Sequence, residues 1–282
     1  MGDFAPPKSG DVLSKAGIEA FIKTAGVFTV ETRKSVTSTN TVLRELAAKG
    51  AGEGRVLAAE GQTSGKGRLG RQFHSPEGHG AYFSVLLRPG DRIRRTGGKA
   101  GDAALITPAA AVAAARAIEE VFGVRVGIKW VNDLFIGERK VCGILTEAAM
   151  DMENGSVDSA ALGIGINITM PHEGYPAAIR NIAAPVTGRT HGADSQRCRL
   201  IASTLDNFWA FYENLAKREF LDEYRTRSVV LGRDVYVIHG DERKPAHAIA
   251  IDDDCKLVVR YADGETAALG SGEVSVRTVD KQ

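Results

Sequence analysis

The sequence predicts an α+β fold: helices and short strands over most of the chain, followed by a small all-β unit at the C-terminal end. Three features carry this reading. Two long segments, one starting at Thr107 and one across 197–224, repeat their apolar residues at the helical period. Between and before them lie short apolar runs bounded by glycine and turn residues, which read as strands. After about residue 228 the pattern changes to short strands separated by turn residues, as in a small β-barrel.

Element by element, residues 1–34 read as a short leader with one weak helical segment near Gly17–Thr24. Ser38 or Thr39 can cap a helix whose apolar positions Val42, Leu43, Leu46 and Ala47 share a face, and Gly50 would stop it. Val56–Glu60 is a short buried strand. The next twenty residues, 61–80, hold six glycines and read as a long loop. Residues 81–89 form a second strand ended by Pro89, and residues 90–102 a polar loop. Thr107 as N-cap with Pro108 at the first helical position opens an alanine-rich helix to Phe122. Residues 124–130 are extended. Residues 131–148 give two strands joined at a turn over Gly137–Lys140, and 161–169 is a nearly all-apolar central strand.

The 282 residues carry 36 Lys and Arg against 35 Asp and Glu, a net charge of +1. That excludes a whole-chain basic field for DNA or an anionic membrane. No run approaches the ~18 consecutive apolar residues of a membrane helix, and the N-terminus shows no apolar signal segment. Cys142, Cys198 and Cys255 are odd in number and far apart, which suits a reducing cytoplasm rather than a disulfide framework.

Four stretches could carry chemistry. Gly65-Lys66-Gly67-Arg68-Leu69-Gly70-Arg71 offers glycines that let backbone N–H groups approach an anion, with cations interleaved. It is not a phosphate loop of the Walker type, because Gly67 follows Lys66 where Ser or Thr is needed. A solvated basic turn fits the composition equally well. Lys129-Trp130-Val131-Asn132-Asp133 follows a strand; strand alternation would put Lys129 and Val131 on one face and Trp130 on the other. Asp133 is a candidate Mg²⁺ ligand and Lys129 a phosphate partner, although Asn-Asp is also a common surface turn. Lys140 precedes a buried strand and can point into a cleft or into water; Cys142 in that strand reads as core. Gly163-Ile164-Gly165-Ile166-Asn167 lacks the third glycine of a dinucleotide fingerprint, and Asn167 must find partners in or beside its strand. No histidine spacing suggests zinc, and no nucleophile elbow suggests a serine hydrolase.

Taken in order and spacing, Ser38-Thr39-Asn40, Gln62 with the Gly65–Arg71 loop, Lys129-Trp130-x-Asn132-Asp133, Lys140 with Gly143, and Gly163–Asn167 resemble the biotin–protein ligase family, the biotin–acetyl-CoA-carboxylase ligases. The resemblance spans roughly residues 33–278. It implies a catalytic domain over 33–227, a mixed β-sheet with helices packed on it in the class II synthetase-like biotin/lipoate ligase fold, after a leader of 1–32, and an SH3-like β-barrel over 228–282. It implies activation of biotin by ATP with Mg²⁺, giving biotinyl-5′-AMP, and transfer to a lysine of biotin carboxyl carrier protein. By the same resemblance Ser38, Thr39, Asn40, Gln62, Gly65, Lys66, Gly67, Arg68, Lys140 and Gly143 would bind biotin. Arg68, Arg71, Lys129, Asn132, Lys140 and Asn167 would bind ATP or the adenylate, Arg68 and Lys140 would be catalytic, and Asp133 would hold Mg²⁺. Homodimerisation through the sheet is left open.

The sequence departs from the family pattern at three points. Lys66 stands where many members have arginine, Phe73 where tryptophan is frequent, and Val131 where proline is often found; none removes a charge the reaction needs. Three rivals are a lipoate–protein ligase, a DNA-binding repressor and a non-catalytic scaffold. Only 37 residues precede Ser38, short of the ~60 a winged helix needs to bury a core, so no DNA binding is expected. The tail offers only Tyr236 and Tyr261 as aromatics for a peptide groove.

Overall fold

A computed structural model describes residues 12–151, 156–188, 195–270 and 274–278. Its first element, α1 (Lys15–Glu19), is capped by the Ser14 hydroxyl, which accepts from Gly17 N at 3.0 Å. Fully buried Ile18 ties this turn to the core. The helix therefore ends where the sequence placed its middle. β1 (Thr29–Val36) follows, and it straddles the expected boundary at residue 32. Its largely polar residues, exposed in a row over Arg33–Ser35, belong to the edge of the sheet, which is why they read as a leader.

Helix α2 (Thr39–Ala48) crosses from β1 to the parallel strand β2 (Arg55–Gln62). Gly50 takes φ +85° just past the helix, the left-handed stop the sequence asked for. β3 (Gly80–Leu87) is buried along its whole length. Pro89 does not lead into a loop: it opens helix α3 (Pro89–Arg95), where its missing N–H costs nothing. Ile93 is buried there, and the Arg92 guanidinium lies over Trp209 and Tyr212 while pairing with Glu53 at 2.6 Å.

Helix α4 (Ile106–Phe122) starts one residue before Thr107. Thr107 is thus inside the first turn, its hydroxyl 2.7 Å from that of Thr146, and Pro108 sits among N–H groups that have no intrahelical partner anyway. Strands β4 (Gly127–Lys129), β5 (Asp133–Ile136), β6 (Arg139–Met150) and β7 (Val157–Asn167) complete a seven-stranded sheet in the order β1-β2-β3-β7-β6-β5-β4. Only β1 and β2 are parallel among these pairs, so the sheet is mixed. Strand alternation sorts its side chains: Val56 and Ala58 face the large core with α4, whereas Leu57, Leu86 and Ala161 pack with Leu43 and Ala47 of α2 on the opposite face.

The single long helix expected over 197–224 is three pieces: α5 (Gln196–Tyr212), a short 3₁₀ turn over Leu215–Lys217, and α6 (Leu221–Thr226). Arg218 breaks it in the left-handed region at φ 54°, with its guanidinium on Asp102 at 2.9 Å and on the Asp253 carbonyl at 2.8 Å. The C-terminal unit is an antiparallel five-stranded sheet: β8 (Asp234–His239), β9 (Glu242–Ile251), β10 (Leu257–Tyr261), β11 (Thr266–Leu269) and β12 (Val274–Thr278), in the order β11-β10-β9-β8-β12. Among the described residues no helix is long and apolar enough to cross a membrane.

Candidate active site

The parallel strands β1 and β2 run into the N-terminal end of α2, where Ser38, Thr39 and Asn40 are buried at 2, 4 and 3% exposure. Ser38 occupies the N-cap position, yet its hydroxyl makes no capping bond. The cap comes from β2 instead: Gln62 Oε1 accepts from Thr39 N at 2.9 Å and from the Thr39 hydroxyl at 3.3 Å, while Gln62 Nε2 donates to Ser75 Oγ at 2.9 Å. Ser84 of β3 places its Oγ 2.6 Å from both Thr39 Oγ1 and Asn40 Oδ1. The Asn40 amide donates to the Leu145 carbonyl at 3.1 Å and to Glu147 Oε2 at 3.0 Å. Buried polar groups need such partners, and here they lock one another in place. Gly163 makes room for this network, because a Cβ there would lie 2.3 Å from Asn40 Oδ1.

The glycine-rich loop folds back on itself through Phe73 N to Gly65 O at 2.8 Å and Gly67 N to Arg71 O at 2.7 Å. Its tip, Leu69 and Gly70, lies in the left-handed region and is exposed. The Phe73 ring rests on the facing pair Gly143 and Gly165 of β6 and β7; a Cβ on either would meet it at 3.0 or 2.5 Å. Lys66 reaches Glu147 at 3.3 Å. Arg68 donates to Asn132 Oδ1 at 3.2 Å, and Asn132 in turn donates to the Ile144 carbonyl at 2.9 Å. Burial lowers the Arg68 pKa below the ordinary arginine value, with the nearby Asp133 carboxylate opposing the shift.

Lys140 projects from the start of β6 so that its Nζ lies 2.7 Å from Asp133 Oδ1 and 5.9 Å from the centre of the Phe73 ring. Arg139, its neighbour, is exposed and donates to the Arg180 carbonyl at 3.3 Å. Lys129 lies across β5 with its ammonium 5.3 Å over Phe135. The simple alternation expected over Lys129–Val131 does not hold. β4 ends at Lys129, and Trp130 and Val131 are both buried in the turn that follows, at 4% each. The indole N–H of Trp130 donates to the Cys255 carbonyl at 2.9 Å, and Tyr224 OH donates to the Val131 carbonyl at 3.0 Å. Burial raises the Cys255 thiol to about 12 and raises Cys142 further, so neither is a thiolate nucleophile.

These elements line an open cleft, about 310 Å³ with its open mouth included, between the α2 N-terminus, the loop and the β6–β7 floor. Its lining includes Ser38, Thr39, Asn40, Gln62, Lys66 and Gly143 from the sequence-derived set, together with Phe73, Leu145, Gly163, Ile164 and Gly165. Arg68, Asn132, Asp133 and Lys140 stand together beside it, where β5 and β6 meet the loop. Gly65 and Gly67 shape the loop backbone. Arg71 is exposed beyond the cleft. Asn167 is buried at the end of β7, two residues past Gly165 of the Gly143–Gly165 pair.

Residues 32–167 match the Biotin/lipoate A/B protein ligase family, and residues 230–277 match the Biotin protein ligase C terminal domain. A Biotin--[acetyl-CoA-carboxylase] ligase of Mycobacterium tuberculosis is 30% identical over 244 residues, covering 84% of this chain and 85% of that protein. The chain belongs to the biotin protein ligase family. Another relative, the Bifunctional ligase/repressor BirA of Bacillus subtilis, is 38% identical over 152 residues, which is 54% of this chain and only 44% of that longer protein. Among solved structures, the biotin protein ligase from Aquifex aeolicus in complex with biotin and ATP superposes with a TM-score of 0.70 at 27% identity, covering 89% of this chain and 99% of that one. The expected ligase fold, with a mixed sheet carrying helices and a separate C-terminal β unit, is that of the family.

Within this family member, five cleft-lining residues, Phe73, Leu145, Gly163, Ile164 and Gly165, lie outside the set that the sequence singles out. Leu145 sits in an ordinary apolar strand pattern, and Glu147 beside it is one acid among many. Gly165 was visible only as part of an incomplete dinucleotide motif. The sole signal available was the period of two: Gly143 and Leu145 share a face, as do Gly163 and Gly165. The Mg²⁺ expectation at Asp133 fits poorly as a resident site. Its Oδ1 is buried without a hydrogen-bond partner but lies 2.7 Å from the Lys140 ammonium, a competing cation, and among the described residues no cluster of three or more His, Cys, Asp or Glu joins it.

Proposed function

We propose that this protein joins biotin to ATP, forming biotinyl-5′-AMP and pyrophosphate, and then transfers the biotinyl group to a lysine of biotin carboxyl carrier protein. The observation that carries the reading is the position of a cationic cluster, Arg68 and Lys140, beside a cleft whose far end is polar and buried. The reaction must bring a carboxylate and a triphosphate into contact, and their mutual repulsion is the main obstacle to it. Fixed cations in a partly dry cleft oppose that repulsion without reorganising.

The roles follow from placement. Ser38, Thr39, Asn40 and Gln62 present hydroxyl and amide groups to the ureido end of biotin. Phe73, Leu145 and Ile164 cover its apolar body, on a floor that Gly143, Gly163 and Gly165 keep flat. Arg68 and Lys140 hold the carboxylate and the α-phosphate while the carboxylate oxygen attacks phosphorus and the bond to pyrophosphate breaks. Asn132, Lys129, Arg71 and Asn167 serve the nucleotide. Mg²⁺ arrives on the triphosphate as part of the substrate. In the second step the acceptor lysine, as free amine, attacks the acyl carbon and AMP leaves. The seven-stranded sheet with its helices forms the catalytic unit, and the five-stranded sheet after residue 228 the accessory unit. The three buried free thiols suit a cytoplasmic setting.

The test is pyrophosphate release from ATP with biotin or with lipoate as the acid. Release with biotin and little with lipoate supports the reading. Preference for lipoate would move the protein to the other branch of the family, and no release with either would point to a non-catalytic relative.

A further inference from the structure

Lys66, Leu69, Gly70 and Arg71 of the glycine-rich loop are exposed, so apolar burial does little to hold its tip. Side-chain contacts of Arg68 and Lys66 tie it to the strands beneath. One is Arg68 to Asn132. Another joins Lys66 to Glu147 of β6, and it is the more elaborate. Glu147 Oε1 accepts from Lys66 Nζ at 3.3 Å and from Arg44 at 3.0 Å, while Oε2 accepts from Asn40 Nδ2 at 3.0 Å. Asn40 is itself immobilised by the Leu145 carbonyl and Ser84. The Glu147 carboxylate is thus fixed from the α2 side before the loop reaches it.

We propose that Glu147 is a positioning residue that fastens the basic loop over the ligand cleft through Lys66. The proposal rests on reading the cleft as the biotin pocket. It gives Lys66 a different task from that of Arg68 and Lys140: its charge is spent on a protein carboxylate at the cleft rim rather than on the reacting anions. Fastening a cover slows escape of a bound molecule and leaves chemistry at the other end of the cleft largely alone. The pair is partly exposed, 39% for Lys66 and 20% for Glu147, so the effect is modest, about two- to fivefold.

The test uses the full chain in two measurements. Limited tryptic cleavage of the ligand-free protein at Arg68 and Arg71 reports whether the loop is fastened. Dissociation of labelled biotin reports the consequence. Glu147→Gln and Lys66→Met should each speed both about two- to fivefold, and the double variant should do no more than either alone, because both remove the same contact. Arg44→Met, which shares the carboxylate but lies on α2, should leave both near wild type. The kcat of pyrophosphate release should move less than the KM for biotin. Unchanged cleavage and dissociation in Glu147→Gln, additive effects in the double variant, or an equal effect from Arg44→Met would overturn the proposal. Failure of the wild-type chain to bind biotin would strike the functional reading instead, and the cleavage rates would still decide whether Glu147 fastens the loop.

Discussion

The ammonium of Lys140 and the carboxylate of Asp133 lie 2.7 Å apart across β5 and β6, beside the Phe73 ring that covers the cleft floor. In the proposed reaction the pair holds one cation at the point where two substrate anions meet. Removing the lysine therefore does two things: it deletes a preorganised positive charge and leaves Asp133 unopposed toward the incoming phosphate. Lys140→Ala is expected to lose adenylation by roughly 10²–10³-fold, the range for removal of one preorganised donor, with the protein still folded. Lys140→Arg should recover part, since a planar guanidinium is wider than an ammonium. Arg139→Ala should be nearly silent, because Arg139 is exposed and points to the Arg180 carbonyl. Pyrophosphate release checks all three; wild-type rates for Lys140→Ala, or greater damage from Arg139→Ala, would remove Lys140 from the mechanism.

Gly165 is expected to tolerate no side chain while Phe73 keeps its ring. A Cβ at Gly165 would come within 2.5 Å of the ring edge, closer than such contacts allow. Overpacking of this kind costs about 1–3 kcal/mol. Because the clash falls on the loop residue that closes the cleft, most of that cost should appear as weaker biotin binding, of order tenfold. Calorimetric titration of Gly165→Ala measures it. The combination Gly165→Ala with Phe73→Leu should bind better than Gly165→Ala alone; additive losses would show that the ring is not what the glycine accommodates.

Much of the site was legible because its residues carry unusual chemistry in unusual order. Glycines alternating with cations at Gly65–Arg71, and the run Lys129–Asp133, stand out from any amphipathic pattern. The site's other half is ordinary in sequence. Glu147 is one acid in a strand, and Gln62 becomes a helix cap only because β2 ends beside α2. The fold followed the same division. Gly50 and the alanine-rich α4 were readable from local preference. β1 was not, because an edge strand with exposed charges resembles a loop. α3 was not, because the burial of Ile93 and the stacking of Arg92 on Trp209 are tertiary facts.

Trp130 ties the Lys129–Asp133 segment to the C-terminal unit, and replacing it should be felt at the end of the site proposed to serve the nucleotide. Trp130→Phe removes the indole donor and leaves the buried Cys255 carbonyl without that partner, at about 1–3 kcal/mol. A lower melting temperature is expected, together with a rise in the KM for ATP that exceeds the rise for biotin, since Asn132 and Asp133 follow Trp130 directly. Equal effects on both substrates would mean that the contact stabilises the protein without positioning the motif.

Arg227 makes stability depend on acid in a direction that its partners fix. It donates to both oxygens of Glu119, at 2.6 and 2.8 Å, and to Glu223 Oε1 at 2.7 Å, while also reaching the Val126 carbonyl. The Arg227 hydrogen bonds hold Glu119 below the ordinary carboxylate value. Burial pushes Glu223 upward, but hydrogen bonds from Arg116 and Arg227 outweigh it and leave that group lowered too. A carboxylate whose folded pKa lies below its unfolded value, ~4.3 for glutamate, binds fewer protons folded than unfolded as the pH approaches that value. Its contribution is complete above the unfolded pKa and is lost as the pH falls through the folded one. Arg227→Met should therefore cost roughly 1–3 kcal/mol at pH 7, between the exposed and buried limits for ion pairs, and progressively less below about pH 4. Thermal unfolding of wild type and variant from pH 8 to pH 3 measures this. The two curves should run parallel at neutral pH and converge in acid; a gap that persists at pH 3 would assign the stabilisation to packing of the arginine stem rather than to its charge.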